Sequence, residues 1–392
     1  MLKRPHIVHL IVRLELGGAE RSLLRLIEAT RGELHHRVIC LGTPTPLGRE
    51  IEALGVVVQW LDYRAGPQVL WRLRAALRQY PVDVLQGWMY WGNLLASLSA
   101  RSLRLEVPVA WNVRSSMQDL AGEGLKLRWL VKSGAWFRPD LIIYNAYAGQ
   151  ASHRALGYHA DDEVVIANGI DFGAFTPMPQ TRARVREQFG IQPQETWVGV
   201  LGRLHPSKGI GVYLATVRLL QNRYQEQAQT QTERKAARFF LAGPGFTAGN
   251  AVLRGMLTEA GLEIAALDLV GPVDDVPAFL SAVDVLVAPS LREGTPNVLL
   301  EAVACGVFTI ATDVGDVGRI ITDPQRLARP GDEHDLAAKI SRVLEPGCSP
   351  ALETTDAERD RLMQHYSMAQ CRTAYLNVYD RLITRRVQAE PD

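Results

Sequence analysis

The chain has 392 residues, 47% hydrophobic and 22% charged, an ordinary globular composition whose length predicts two or three domains at about 150 residues each. Its 43 Lys/Arg and 42 Asp/Glu leave a net charge of +1, which argues against a nucleic-acid protein acting by bulk phosphate neutralisation. Cys40, Cys305, Cys348 and Cys371 form no C-x-x-C, no secretory leader is recognisable and no apolar run reaches the length of a membrane span, so a cytoplasmic protein without disulfides or a zinc ribbon is expected.

Short apolar runs alternate with helical patterns along the chain. His6–Val12 reads as a buried strand, and Gly17-Gly18 opens a helix with apolar residues at Leu23, Leu24, Leu26 and Ile27. Strands are predicted at Arg37–Leu41, Val56–Leu61, Val82–Gln86, Val107–Asn112 and Leu141–Asn145. The segment Thr176-Pro-Met-Pro-Gln-Thr181 reads as a linker. Strands resume at Trp197–Leu201, Arg238–Ala242, Leu267–Val270, Asp284–Ala288 and Phe308–Ala311, and Asp360–Arg386 reads as helical. This rhythm predicts two α/β domains with parallel, doubly wound sheets, near 1–178 and 182–370. Ligands of such sheets bind beyond the carboxyl ends of the strands, and two domains facing each other would form a cleft.

Three constellations follow strands. The strongest is Ser290-Leu-Arg-Glu-Gly-Thr-Pro-Asn-Val-Leu-Leu-Glu301. Pro296 suits a first helical turn, so the helix is expected to start near Thr295 or Pro296. Glu293 then lies in the loop, Glu301 lies one to two turns into the helix, and the N–H groups of Asn297, Val298 and Leu299 face an anion. Carboxylates beside an anion site fit a diphosphate flanked by sugar hydroxyls. By spacing alone, Glu293 reads equally as a first-turn dipole partner and Glu301 as a solvated helix residue. The second is Gly202-Arg203-Leu-His-Pro-Ser-Lys208-Gly209, which brings two cations to a strand end, either for a pyrophosphate or as solvated loop charges. The third is Gly17-Gly18-Ala-Glu20, a close-approach loop or a plain tight turn.

Together with Ala167-Asn-Gly-Ile-Asp171 and Ala242-Gly-Pro-Gly245, these motifs resemble, in order and spacing, those of retaining glycosyltransferases of the GT-B fold, family 4, and the resemblance covers nearly the whole chain. It implies two Rossmann-like domains with a nucleotide-sugar in the cleft, an acceptor-binding one at 1–178 and a donor-binding one at 182–372, and a C-terminal helix near 373–392 that crosses back to the first. It further implies that Glu301 binds the ribose and that Glu293, with Gly294 and Thr295 beside it, contacts the donor sugar. Arg203 and Lys208 would neutralise the diphosphate, Gly17 and Gly18 would approach the distal phosphate, and the backbone of Gly271-Pro272-Val273 would face the nucleobase. By that alignment Arg114 replaces a histidine, with Asn112 nearby, and either contacts the sugar or an anionic acceptor or is a structural cation. Arg203, Lys208 and Glu293 are the expected catalytic residues. The resemblance implies front-face attack with retention, so neither glutamate is a nucleophile. No Asp-x-Asp stands at a strand end, so metal independence is expected, with no cofactor and with a UDP-sugar as the default donor. A nucleotide-sugar epimerase and an inactive sugar-nucleotide-binding subunit are the competing readings; the first would turn over donor without acceptor.

The acceptor, a glycan or a lipid-linked sugar, is expected on the first domain. Gly87-Trp88-Met-Tyr-Trp91-Gly-Asn93 offers aromatic faces and an amide, with Trp88 and Asn93 as candidate acceptor residues; a packed strand–helix junction is the alternative. Residues 1–150 hold 19 Lys/Arg and 12 Asp/Glu, a balance of +7, and seven of the eight tryptophans precede residue 140. Segment 125–138 has four cations, Trp129 and Trp136, and no acid, which reads as a helix touching anionic lipid or as one covering the sheet with its cations outward. Weak peripheral attachment to the inner membrane face is therefore expected.

Overall fold

The computed structural model describes residues 4–15, 17–66, 68–115, 125–228, 236–345 and 355–389. Cys348 and residues 390–392 of the expected last helix lie outside them. The chain forms two units, one of residues 1–169 with 368–392 and one of residues 170–367.

The first unit carries strands β1 (His6–Ile11), β2 (His35–Cys40), β3 (Val57–Trp60), β4 (Val84–Trp88), β5 (Val109–Val113), β6 (Leu141–Tyr144) and β7 (Asp162–Val165). The second carries β8 (Thr196–Leu201), β9 (Ala237–Ala242), β10 (Asp268–Gly271), β11 (Val285–Ala288), β12 (Phe308–Thr312) and β13 (Leu327–Ala328). All neighbours pair in parallel, in the orders β3-β2-β1-β4-β5-β6-β7 and β10-β9-β8-β11-β12-β13. Both are doubly wound, with the strand order reversing between β1 and β4 and between β8 and β11, and such switch points are where these sheets take ligands.

β7 and β13 are absent from the expected strands. β7 begins Asp162-Glu163, and its acids escape alternation because they pair outward, Glu163 with Arg154 at 2.7 Å and Asp162 with Arg381 at 3.2 Å. β13 has two residues, too few to give a pattern. The expected linker 176–181 is not where the chain divides. Residues 170–177 belong to the second unit: Ile170 N–H donates to Tyr366 O at 2.8 Å, Arg359 Nη2 donates to Phe172 O at 3.1 Å, and Pro179–Gln188 is a helix.

In the first unit, helices Gly18–Thr30, Pro46–Ala53 and Met368–Ala389 cover one sheet face through a core that includes Leu23, Ile27, Ile51, Val378 and Leu382. Helices Gln68–Arg78, Met89–Leu103 and Leu125–Ser133 cover the other, through Leu73, Ala96 and Leu130. The last helix is also held by polar contacts. Tyr379 donates to the Oε1 of buried Gln86, and Asn112 Nδ2 donates to Tyr375 Oη at 2.7 Å. Each fully buried side chain of this size contributes about 1.5–3 kcal/mol.

Candidate functional site

The second unit's site is made by main chain before any side chain is placed. Gly209 has φ +64°, and a Cβ there would stand 1.9 Å from Pro289 O, so only glycine lets the loop after β8 lie against the loop after β11. The contact continues as Leu291 N–H donates to Ser207 O at 2.8 Å. Gly243, at φ +120°, packs likewise on the carbonyl of Gly202, and its N–H donates to Gly271 O at 2.6 Å. The carboxyl edges of β8, β9, β10 and β11 are thereby knitted together, with Pro272 exposed and Val273 half-buried at the margin.

On this edge Lys208 Nζ pairs with Glu293 Oε1, which also accepts from Ser290 Oγ at 2.7 Å. Glu293 is thus a fixed carboxylate whose nearer oxygen is occupied twice. Its loop is anchored behind: Asp316 N–H donates to Gly294 O at 2.9 Å, buried Thr295 reaches Asp316 at 3.4 Å, and Thr312 Oγ1 donates to Ser290 O. A Cβ on Gly315 would stand 2.2 Å from Glu293 O, so this support also needs a glycine. Ser290, Thr312 and Asp316 are supporting residues that sequence reasoning missed. Ser290 alone had a signal, lying three residues before Glu293.

Arg203 is exposed and holds no hydrogen bond or ion pair among the described residues. The helix Asn297–Ala304 starts one residue later than expected, with Pro296 as its extended N-cap and not in its first turn, and half-buried Glu301 lies on its second turn. Of the three N–H groups expected to face an anion, that of Leu299 is already used, donating to Pro296 O at 3.2 Å in a tightened first turn. Cys305, at the end of this helix, has its thiol pushed up to about 12 by burial and by Glu301, so it packs as a neutral group. Among the described residues no cluster of His, Cys, Asp or Glu is disposed to hold a metal ion.

Residues 16–173 match the family model for Glycosyltransferase Family 4, and residues 195–346 match that for Glycosyl transferases group 1. The chain belongs to the family 4 glycosyltransferases. It is 25% identical over 309 residues to the lipopolysaccharide core biosynthesis mannosyltransferase LpsB of Rhizobium meliloti, covering 78% of this chain and 77% of LpsB. It is 27% identical to the 2-deoxystreptamine glucosyltransferase of Streptomyces kanamyceticus, over 56% of this chain and 54% of the relative. Among solved structures it resembles Anabaena Alr3699/HepE in complex with UDP, with a TM-score of 0.79 at 19% identity over 96% of this chain and 99% of that one. These are GT-B glycosyltransferases, and the fold of the present chain is theirs.

The first unit of this glycosyltransferase treats its expected site residues differently. Gly17 and Gly18 stand at the start of helix Gly18–Thr30, after β1. A Cβ on Gly17 would meet the Glu20 carboxylate at 2.3 Å, so the chain supplies its own anion to this helix start, while Gly18 has open space beside it. Trp88 and Asn93 are not available to an acceptor. β4 runs two residues further than expected and carries Trp88 into the core, where its Nε1 donates to His9 Nδ1 at 3.2 Å. Asn93 is buried, accepting from Asn112 N–H at 3.1 Å and donating to Asn112 O at 3.3 Å. The reason is Gly87 and Gly92. A Cβ on either would strike backbone, of Asn93 or Leu10 respectively, so the aromatic segment is a close strand–helix junction. Arg114 donates to Asn112 Oδ1 at 3.2 Å, to Tyr375 Oη at 3.3 Å and to Asn168 Oδ1, which is how a structural cation is held.

Beneath these residues runs one directed chain of hydrogen bonds. Trp88 can only donate, so His9 Nδ1 is bare and its Nε2–H donates to His36 Nδ1 at 2.9 Å. His36 Nε2–H then donates to Thr30 Oγ1 at 2.8 Å, and Thr30 donates to Leu26 O at 2.6 Å. Both imidazoles are neutral. Burial, then His36, holds His9 well below the usual imidazole range, and burial, then His35, pushes His36 down to about 4.

Proposed function

We propose that this glycosyltransferase moves a sugar from a nucleotide-sugar, a UDP-sugar by default, to a glycan or lipid-linked acceptor in the synthesis of bacterial surface polysaccharide or glycolipid. The observation that carries the reading is the edge of the second sheet, where Lys208 is locked to a buttressed Glu293 and Arg203 stands exposed and unpartnered. Negative charge grows on a diphosphate as its bond to the sugar breaks. Two permanent cations held at a switch point stabilise that charge more than they stabilise the ground state. The cations make metal-free transfer sufficient, and no resident cofactor is invoked. Relatives support the acceptor class: LpsB is named for lipopolysaccharide core synthesis, and TuaC of Bacillus subtilis, 29% identical over 46% of this chain and 41% of TuaC, for teichuronic acid. Neighbouring structures holding UDP and UDP-glucose support the donor class.

The reading includes retention. The bond from the anomeric carbon to the diphosphate breaks, the acceptor oxygen bonds to that carbon from the same face, and the acceptor proton passes to a phosphate oxygen. Glu293, engaged by Lys208 and Ser290, then serves the donor sugar as a hydrogen-bond acceptor and not as a nucleophile. Glu301, with Asn297 and Val298 at the helix start, serves the nucleotide. The protein works at the inner face of the cytoplasmic membrane; no helix among the described residues is long and apolar enough to cross it.

A thermal-shift panel of UDP-, GDP-, TDP- and ADP-sugars tests the donor. A true donor at a hundredfold its Kd adds about 2.7 kcal/mol of stability, and Glu301→Gln reduces that gain. No response to any of the four overturns the reading. Conversion of the donor to an isomer without acceptor would make the enzyme an epimerase.

A further inference from the structure

We propose that one helical layer of the first unit is an anionic-membrane docking face, and that it is set at the edge of the sheet where substrates are met. The layer is formed by helices Gln68–Arg78, Met89–Leu103 and Leu125–Ser133, which cover one sheet face. Their sequences contain seven Lys/Arg and no Asp or Glu. The layer on the opposite face is mixed, with Glu20, Glu28, Glu50 and Glu52 on its first two helices. The positive balance of the first 150 residues is thus gathered on one side.

The same layer, with the turn Gly134–Trp136 that extends it, holds every exposed tryptophan among the described residues: Trp71 (73% exposed), Trp91 (52%), Trp129 (64%) and Trp136 (75%). Trp129 and Trp136 meet edge to face at 5.9 Å, and the Arg74 guanidinium lies 5.7 Å from the Trp71 ring centre. Leu70 and Leu98 are exposed beside them, and aliphatic side chains in water between cations fit an acyl–headgroup boundary better than a stack of nucleobases. Tryptophan prefers the bilayer interface, and Lys/Arg meet anionic headgroups there.

A helix connecting parallel strands starts at the carboxyl edge of the strand before it. Trp71, Trp91 and Trp129 occupy the fourth, third and fifth positions of their helices. Trp71 and Trp91, in first turns, therefore lie toward the sheet's carboxyl edge, while Trp129 sits mid-helix against Trp136 beyond the helix end; docking through this layer brings that edge of the first sheet to a lipid-borne acceptor. This last step rests on the lipid-linked acceptor proposed above; the docking face itself does not.

The test is co-sedimentation of the full chain with equimolar phosphatidylcholine–phosphatidylglycerol vesicles, against pure phosphatidylcholine, at low and high salt. Binding is expected only to the anionic vesicles and to weaken with salt. Arg128→Glu with Lys132→Glu, both at exposed positions, lowers partitioning by at least about tenfold. Trp71→Ser with Trp129→Ser lowers it as well and reduces the blue shift of tryptophan emission on binding. Arg49→Glu, exposed on the opposite layer, leaves it unchanged. Equal pelleting with neutral vesicles, no pelleting, an equal loss from Arg49→Glu, or displacement of vesicles by single-stranded RNA each overturns the docking face. Sugar transfer to a water-soluble acceptor, run on the same variants, separates the two readings: it stays at the wild-type level when only docking is lost, and its absence in wild type indicts the transferase reading instead.

Discussion

Lys208 and Glu293, 85 positions apart, close one ion pair across the ends of two neighbouring strands, β8 and β11. The cation expected at the leaving group and the carboxylate expected at the donor sugar are therefore one coupled unit, and Arg203 beside them is not part of it.

That difference separates two variants. Lys208→Ala strands a carboxylate that is only 13% exposed and costs about 1–3 kcal/mol of stability, between the values of surface and buried pairs. Arg203→Ala removes an exposed, unpartnered side chain and shifts stability by no more than about 0.5 kcal/mol. Both lower kcat, by about 2.7–4 kcal/mol in barrier if each acts as an oxyanion-hole donor does. Calorimetry and steady-state kinetics on the pair decide it, and wild-type turnover in folded Arg203→Ala removes that residue from the mechanism.

Two glycine substitutions should behave oppositely. Gly209→Ala puts a Cβ 1.9 Å from Pro289 O at φ +64°, so it pries apart the two loops that bear Lys208 and Glu293. Strain of this kind costs about 1–3 kcal/mol before the clash is counted, and activity falls with stability. Gly18→Ala enters open space, so its melting temperature holds. A raised donor KM in that variant is the expected sign that a ligand approaches this backbone, and an unchanged KM places the donor elsewhere.

The His9–His36 chain predicts acid sensitivity in the first unit. Both folded pKa values lie below the usual 6.5, with His36 at about 4, so the unfolded chain takes up protons first as pH falls. Stability is full above about 6.5 and declines toward 4, by about 3 kcal/mol for His36 alone. Denaturation followed by tryptophan emission, which comes mostly from this unit, should track that window. His36→Gln should flatten the slope between those two pH values; an unaltered slope assigns the acid loss to other groups.

Activity is expected to survive EDTA, because Arg203 and Lys208 already supply positive charge where a diphosphate would place its own. Loss restored by magnesium or manganese would show that a metal takes part of that duty.

The strands were legible where both faces are buried, because parallel strands such as β6 and β11 then read as unbroken apolar runs. β7 was not, since its acids serve partners outside the strand. Glu293, Lys208 and the start of the helix after Pro296 stood out because Pro, Gly and charge cluster locally. Their pairing did not, since it depends on the register of β8 against β11. Trp88 misled because aromatic composition looks the same in a binding loop and in a core. The telling mark was Gly87 and Gly92 on either side, whose missing side chains let a helix press against Leu10 O.

The division of the chain also orders its birth. Residues 170–367 form their unit from one uninterrupted stretch, whereas the first unit needs Tyr375, Val378, Tyr379 and Leu382 from the far end of the chain. During synthesis the leading segment emerges with Gln86 and part of one sheet face uncovered and must wait for about two hundred residues, while the unit begun second can close at once. A chaperone hold should therefore protect residues 1–169 above all, and the half of the enzyme made first is the half completed last.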